Sequence, residues 1–358
     1  MVIEALTFSQ QLIIGFISLV VLVFGAEKVV DRMTAIAAYY GISDVVIAMS
    51  VISIGTSLPE VAAHAIASIG ILNGSLSFEV TSATVLGANI GSDVVQQTLI
   101  VGIVILGYIL VNVLRSSELH GGVFRHVGNT YQIVTDTNFT FSTSFLKKNY
   151  FPMIGTTLMC TVLGWDGLYS RVDGMVLFGS FLAYMFYLYA TQGDEFESSS
   201  EPSDNIRWDL IVGFGALVAV LVSAHTVLTV SETIVARTGL GGSLIGVVLI
   251  GVMSALPELM TALSGVYHKA EGISLGTLIG SNITNPLLAI GGGSLISTYW
   301  VPRPLVLWDL PMETVTAAAL LVYLLFVSDR KLGWKGGLYL VGLYAVYLFV
   351  RVTYFAAD

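Results

Sequence analysis

Two stretches decide the fold: Gly41-Ile-Ser-Asp-Val-Val-Ile-Ala-Met-Ser-Val-Ile-Ser-Ile-Gly-Thr-Ser-Leu-Pro-Glu60 and Gly239-Leu-Gly-Gly-Ser-Leu-Ile-Gly-Val-Val-Leu-Ile-Gly-Val-Met-Ser-Ala-Leu-Pro-Glu258. Both are twenty residues long, apolar, and close on Leu-Pro-Glu at a constant offset of 198. A second correspondence follows each, Gly87-Ala-Asn-Ile-Gly-Ser-Asp93 and Gly280-Ser-Asn-Ile-Thr-Asn-Pro286, at an offset of 193. The chain is therefore an internal repeat.

The solvent of these segments is lipid. Of 358 residues, 55% are hydrophobic and 11% charged, against about 25% charged in a soluble domain. Apolar runs long enough to cross a hydrocarbon core of roughly 30 Å recur throughout. The predicted helices cover 10–30, 42–70, 80–112, 150–166, 172–190, 208–230, 240–266, 274–298, 306–327 and 336–354. The first, from Gln11, is too long for a signal segment and reads as a retained span. The expected architecture is an all-α integral membrane protein of ten spans in two five-helix repeats. Residues 1–190 form the first repeat, with a polar insertion at 115–149. Residues 191–207 form an acidic cytoplasmic linker, and 208–358 the second repeat. Five is odd, so equivalent helices run in opposite directions. Transporters with inverted repeats bind cargo near the midplane, where interrupted helices meet.

Lys and Arg placement orients the chain. With both termini outside, eleven basic residues face the cytoplasm: Lys28, Arg32, Arg115, Arg125, Lys147, Lys148, Arg207, Lys269, Arg330, Lys331 and Lys335. Only Arg171, Arg237, Arg303 and Arg351 face outward. The cell membrane is the expected location. A net charge of -9 excludes a nucleic-acid binder, which needs a basic surface to displace counterions. The single cysteine, Cys160, excludes an intrachain disulfide framework. No metalloprotease motif or activated nucleophile accompanies the acids, which argues against an enzyme.

The chemistry sits at the ends of the repeats. A carboxylate within an apolar span costs roughly 2.5–3.5 kcal/mol on insertion scales unless a cavity, partner or cation compensates, and Glu60 and Glu258 incur that cost twice. Pro59 and Pro257 remove a helical donor beside each acid and release carbonyl oxygens. Thr56 and Ser254 lie four residues before the acids, on the same helical face, with Ser57 adjacent. The following spans add Asn89, Ser92 and Asp93, and Ser281, Asn282 and Asn285. Small residues Gly87, Ala88, Gly91 and Gly280 let these helices approach closely. Asn89 and Asn282 suit ion ligation or bracing of broken backbone, with bracing favoured. Such hard, flexible oxygen donors select calcium, which takes six to eight oxygens; no Cys and His grouping suits zinc or copper. His64 reads as a packing or hydrogen-bonding residue, and Glu313 as an anchor near Met312 or an additional acid. Asp93 breaks the symmetry, since its repeat counterpart is Pro286.

These motifs resemble the calcium/cation antiporter superfamily, in particular its compact prokaryotic sodium/calcium exchanger-like branch. Gly55-Thr56-Ser57-Leu58-Pro59-Glu60 is similar to the first signature of that family, and Gly280-Ser281-Asn282-Ile283-Thr284-Asn285 to the later one. The resemblance covers the chain apart from residues 115–149. It implies that Glu60 and Glu258 are the principal calcium ligands, joined by Thr56, Ser57, Ser254, Ser281 and Asn285, with Ala88 and Ser92 as first-half equivalents. It also implies exchange of Ca2+ for Na+ or H+ by alternating access, with these ions as cargo and no tightly bound cofactor. Ala88, Gly251 and Ala255 lack the hydroxyls of the family pattern, which leaves the counter-ion open among sodium, proton and potassium; Asn285 in place of Asp disfavours potassium. A calcium-selective channel and a calcium-binding sensor are the competing classes. One chain supplies both halves of the site, so a monomer is the expected functional unit.

Overall fold

The computed structural model describes residues 6–40, 57–120, 124–127, 130–133, 138–141, 143, 146–192, 203–267 and 271–358. Thr56, most of the first repeat stretch and the acidic run from Asp194 to Glu201 lie outside the described residues.

The chain is a stack of apolar helices, the arrangement that satisfies backbone N–H and C=O groups inside each segment when no water is at hand. The helices are α1 (Phe8–Tyr39), α2 (Leu58–Leu72), α3 (Phe78–Val95), α4 (Val101–His120), α5 (Phe151–Leu163), α6 (Arg171–Gln192) and α7 (Ile206–Thr238). They continue as α8 (Gly242–Ile245), α9 (Val252–Ser254), α10 (Leu256–Tyr267), α11 (Glu271–Thr284), α12 (Gly291–Ile296), α13 (Leu310–Phe326) and α14 (Trp334–Tyr354). Wider π-helical turns at Gln96–Ile100, Gly246–Gly251 and Asn285–Ile290 join α3 to α4, α8 to α9 and α11 to α12; others precede α5 and α13. Such turns disturb the regular ladder and concentrate at functional places.

Seven of these segments are long and apolar enough to cross a membrane, among the described residues. They coincide with seven of the ten expected spans. Of the other three, 42–70 falls mostly on undescribed residues, 150–166 contains only the 13-residue α5, and 274–298 holds parts of α11 and α12 on either side of Asn285–Ile290. Large apolar side chains such as Phe16, Phe24, Phe214 and Phe326 point outward, as lipid-facing residues do.

α1 and α7 lie side by side as a long pair. One end is fastened by Arg32, whose Nη1 donates to Asp209 Oδ1 at 2.6 Å. Ser203 reinforces it, donating its Oγ to Asp209 Oδ2 at 2.5 Å and its N–H to the Ala35 carbonyl at 3.1 Å. A close seam in the core runs between α3 and the α8–α9 segment. A Cβ on Gly91 would lie 2.6 Å from Val247 Cα, one on Gly251 would lie 2.7 Å from the Ala88 carbonyl oxygen, and one on Gly246 would collide with the Thr84 carbonyl. Gly87 and Gly91 thus bring helices together as expected, whereas Gly280 faces open space.

Short pairings stitch the connections. β1 (Phe124–Val127) pairs with β2 (Thr130–Ile133), β3 (Phe139–Thr140) with β6 (Lys331–Leu332), and β4 (Leu168–Tyr169) with β5 (Tyr299–Trp300), all antiparallel. The end of the expected polar insertion is a packed strap: Phe139, Phe141, Leu146 and Tyr150 are buried in the main core, and the Phe141 N–H donates to the Arg330 carbonyl at 2.8 Å.

Arg351, expected among the exterior charges, is fully buried. Its Nε donates to Asp309 Oδ2 at 2.9 Å, and Tyr347 donates to Asp309 Oδ1 at 2.5 Å. The guanidinium also reaches Ser243 Oγ at 2.5 Å and the Phe355 carbonyl. Ser243 bonds in turn to the Asp358 carboxylate. A lone Arg near a helix end reads from sequence as a loop charge because its acidic partner lies 42 positions away.

Candidate functional site

Each Leu-Pro-Glu motif begins a half-helix. In α2 the proline occupies the first turn, where its missing N–H costs nothing, and Glu60 follows it. α10 repeats this arrangement with Glu258 after the break at Ala255. Glu60 is 3% exposed and Glu258 1%. None of their four carboxylate oxygens has a hydrogen-bond partner among the described residues. The two acids lie within charge–charge reach of each other. A buried acceptor left unsatisfied costs about 1–3 kcal/mol, and more when charged. Two in one place are tolerable when a cation enters between them.

The other oxygens stand close by. Ser92 and Ser254 lie beside the Glu60 carboxylate, outside hydrogen-bonding geometry. The Ser254 hydroxyl donates to the Gly251 carbonyl at 3.2 Å, which leaves its lone pairs available. Ser57 is buried, its Oγ without a partner among the described residues. Ser281 is buried in α11. Thr56 lies outside the described residues. No three His, Cys, Asp or Glu side chains converge at metal-cage spacing among the described residues. A calcium shell here would consist of two carboxylates completed by hydroxyl, amide and backbone oxygens, a composition that suits a hard cation.

α3 and α11 form the opposite wall and are joined by amides. Asn89 Nδ2 donates to the Asn285 carbonyl at 3.2 Å, and Asn285 Nδ2 to Asp93 Oδ1 at 3.1 Å. The Oδ1 atoms of Asn89 and Asn285 keep no partner among the described residues. Asn282 is held at both ends: its Nδ2 donates to Leu278 O at 2.6 Å and Gln96 Oε1 at 2.9 Å, and its Oδ1 accepts from Gln97 Nε2 at 2.9 Å. Gln96 Nε2 also donates to Ser92 Oγ at 3.1 Å, and Gln97 Nε2 to Glu313 Oε1 at 3.2 Å. Asp93 is within charge–charge reach of Glu313, Glu60 and Glu258. Four acids and a chain of amides therefore share one buried region.

Sequence reasoning missed Gln96 and Gln97. The signal was there: two adjacent glutamines in an apolar span are as anomalous as an acid. His64 stands apart from the acids' oxygens. Its Nδ1 faces Tyr299 Oη at 3.2 Å, and that hydroxyl donates to the His64 carbonyl at 2.9 Å and touches Ser68 Oγ at 2.5 Å. This junction ties α2 to the strand after α12.

With this geometry in view, comparison with known proteins is informative. The family model for sodium/calcium exchanger proteins matches residues 11–190 and 208–353. An uncharacterized membrane protein of Methanocaldococcus jannaschii is 26% identical over 326 residues, which cover 90% of this chain and 92% of that protein. The sodium/calcium exchanger MaX1 of Methanosarcina acetivorans is 25% identical, with 94% of this chain and 97% of that protein covered. Among solved structures, the sodium-calcium exchanger NCX_Mj soaked with 100 mM Na+ and 10 mM Sr2+ aligns with a TM-score of 0.56 at 21% identity, over 97% of this chain and 99% of that one. At that identity the likeness is one of fold.

Proposed function

Because the chain belongs to the sodium/calcium exchanger protein family, we propose that it is a secondary active antiporter that moves Ca2+ against Na+ or H+ by alternating access. The observation that carries this reading is the pair of buried carboxylates, Glu60 and Glu258, whose oxygens have no hydrogen-bond partner among the described residues. Their two negative charges match one divalent cation. With Ca2+ bound the pair is neutral and can be occluded; without it, monovalent cations must take its place for the return. No bond is made or broken in the cargo, so no enzymatic step is involved.

Contacts between connections support ten crossings and inverted halves divided at 191–207. Phe8 lies under Arg237 at 4.9 Å, the Ser77 N–H reaches Glu232 at 2.5 Å, β4 pairs with β5, and the Gly241 N–H meets the Ala356 carbonyl at 2.8 Å. On a ten-span path these contacts join ends separated by an even number of crossings, and all belong to one face. Ser203 with Ala35, and β3 with β6, obey the same parity on the other face. The distribution of basic residues supports both termini lying outside, and the cell membrane is the proposed location. Each chain holds both acids, which makes the monomer the transporting unit.

The test is calcium tracer uptake into proteoliposomes under imposed Na+ or H+ gradients. Uptake should follow a counter-gradient and fall by more than about a hundredfold, ~2.8 kcal/mol, in Glu60→Gln and Glu258→Gln. Wild-type uptake indifferent to both gradients, or passive currents at channel rates, would replace exchange with a pore.

A further inference from the structure

α1 and α7 are built as one body. Arg32 and Asp209 fasten them at one end, and Arg237 lies over the Phe8 ring at the other. Between these ends the two helices touch closely: a Cβ on Gly15 would lie 2.8 Å from Val230 Cγ1, and one on Gly25 would lie 3.0 Å from Val220 Cγ2.

The seam between this pair and the helices that carry the acids is of another kind. Leu22, Ala26 and Ala224 meet Ala62, Ala88 and Ile250 in an apolar cluster distinct from the main core. A void of about 10 Å³ lies within it, lined by Ala63, Val85, Ala88 and Leu228 among others. Apolar contact has no preferred direction, so small side chains around a void offer little resistance to a shift of the pair.

Among the described residues, the hydrogen bonds from the pair to α3 lie at one end of the seam. The Glu232 carboxylate of α7 accepts from the Ser77 N–H at 2.5 Å and from Thr81 Oγ1 at 2.9 Å. Ser77 is the N-cap of α3, where the helix dipole favours a negative charge. Charge-assisted bonds of this type are strong, and they are directional, so a slide of about 1–2 Å breaks both. Leu228 and Val85, which line the void, lie one turn below Glu232 and Thr81. The fastening therefore stands at the rim of the soft seam, on the face that also holds the Phe8–Arg237 contact.

We propose that Glu232 is a latch: its carboxylate holds the α1–α7 pair against α3 at that face, and its release lets the pair part from α3 there. Glu232 belongs to neither repeat motif and lies outside the buried acid group. The proposal rests on the exchange reading for its use, and it adds to that reading a residue that sets which face is closed.

The experiment uses the full chain in vesicles sorted by orientation, with Ala63→Cys as a reporter in the void. A membrane-impermeant thiol reagent is applied to one face at a time. Cys160 is buried, and the chain without the reporter gives the background. Glu232→Ala should speed labelling from the Phe8–Arg237 face at least about tenfold, as for loss of one hydrogen bond to a charged group, with no gain from the opposite face. Thr81→Val keeps the shape, removes one donor and should give about a threefold gain. An unchanged rate in Glu232→Ala would overturn the latch, and equal acceleration from both faces would overturn it as general loosening. If Glu232→Ala does not fold, an unchanged rate in Thr81→Val overturns it instead. In calcium tracer exchange, Glu232→Ala should lower half-saturating Ca2+ on the Phe8–Arg237 face and raise it on the other, because the population shifts toward the first. Shifts in the same sense on both faces would contradict the proposal. A wild-type protein without gradient-driven exchange would defeat the exchange reading, while the labelling rates would still decide on the latch.

Discussion

Two regions of this molecule bury carboxylates equally well and treat them in opposite ways. Asp309 is enclosed by Arg351 and Tyr347, with a charge-assisted bond at 2.9 Å and a hydroxyl donor at 2.5 Å. Glu60 and Glu258 are just as inaccessible, yet among the described residues none of their oxygens finds a donor. Burial alone does not mark a functional acid. What separates the two cases is whether the protein itself supplies the positive charge.

That contrast can be tested through stability. Arg351→Met leaves Asp309 charged and unpaired and should destabilise the protein by about 3–5 kcal/mol, read as a fall in thermal unfolding temperature in detergent. Adding Asp309→Asn to it should recover most of the loss; a double variant as unstable as the single would show that Arg351 acts through packing rather than charge. In the calcium-free protein, Glu258→Gln should change stability in the other direction. Removing a charge without a partner should raise the unfolding temperature, with a gain of about 1–3 kcal/mol. A fall would mean that the acid is held by contacts beyond the described residues. The smallest expected effect comes from Tyr299→Phe, which removes the hydroxyl between His64 and Ser68 and should cost about 0.5–1.5 kcal/mol while sodium-driven flux stays near wild type. A collapse of flux in that variant would draw His64 into the transport site.

The repeat stretches made the membrane fold and the buried acids readable, because a Pro-Glu step closing a largely apolar twenty-residue stretch is anomalous whatever the tertiary structure. Asp309 and Arg351 were not readable as a pair, since nothing local distinguishes an acid with a distant partner from one without. Gln96 and Gln97 were hidden by periodicity. In a regular α-helix adjacent side chains diverge by roughly 100°, and a shared role for both is not expected. The π turn that begins at Gln96 changes the local phase, and both amides close on Asn282. The strap was obscured by composition: Phe139 and Phe141 sit among Thr, Asn and Ser, and their packing partners come from helices far along the chain.

Among the described residues the second half has no counterpart of the strap. β3 and β6 close it against the connection before α14, and Phe141 and Tyr150 roof the small cavity beside Gln97. In the proposed inverted repeat the strap breaks the twofold kinship of the halves at the face that carries β3 and β6. Energetic equivalence of the two directions is a property of the ions and their gradients, but speed is a property of the doors. A transporter that carries an added aromatic strap at one face has no reason to move ions at the same rate in both directions.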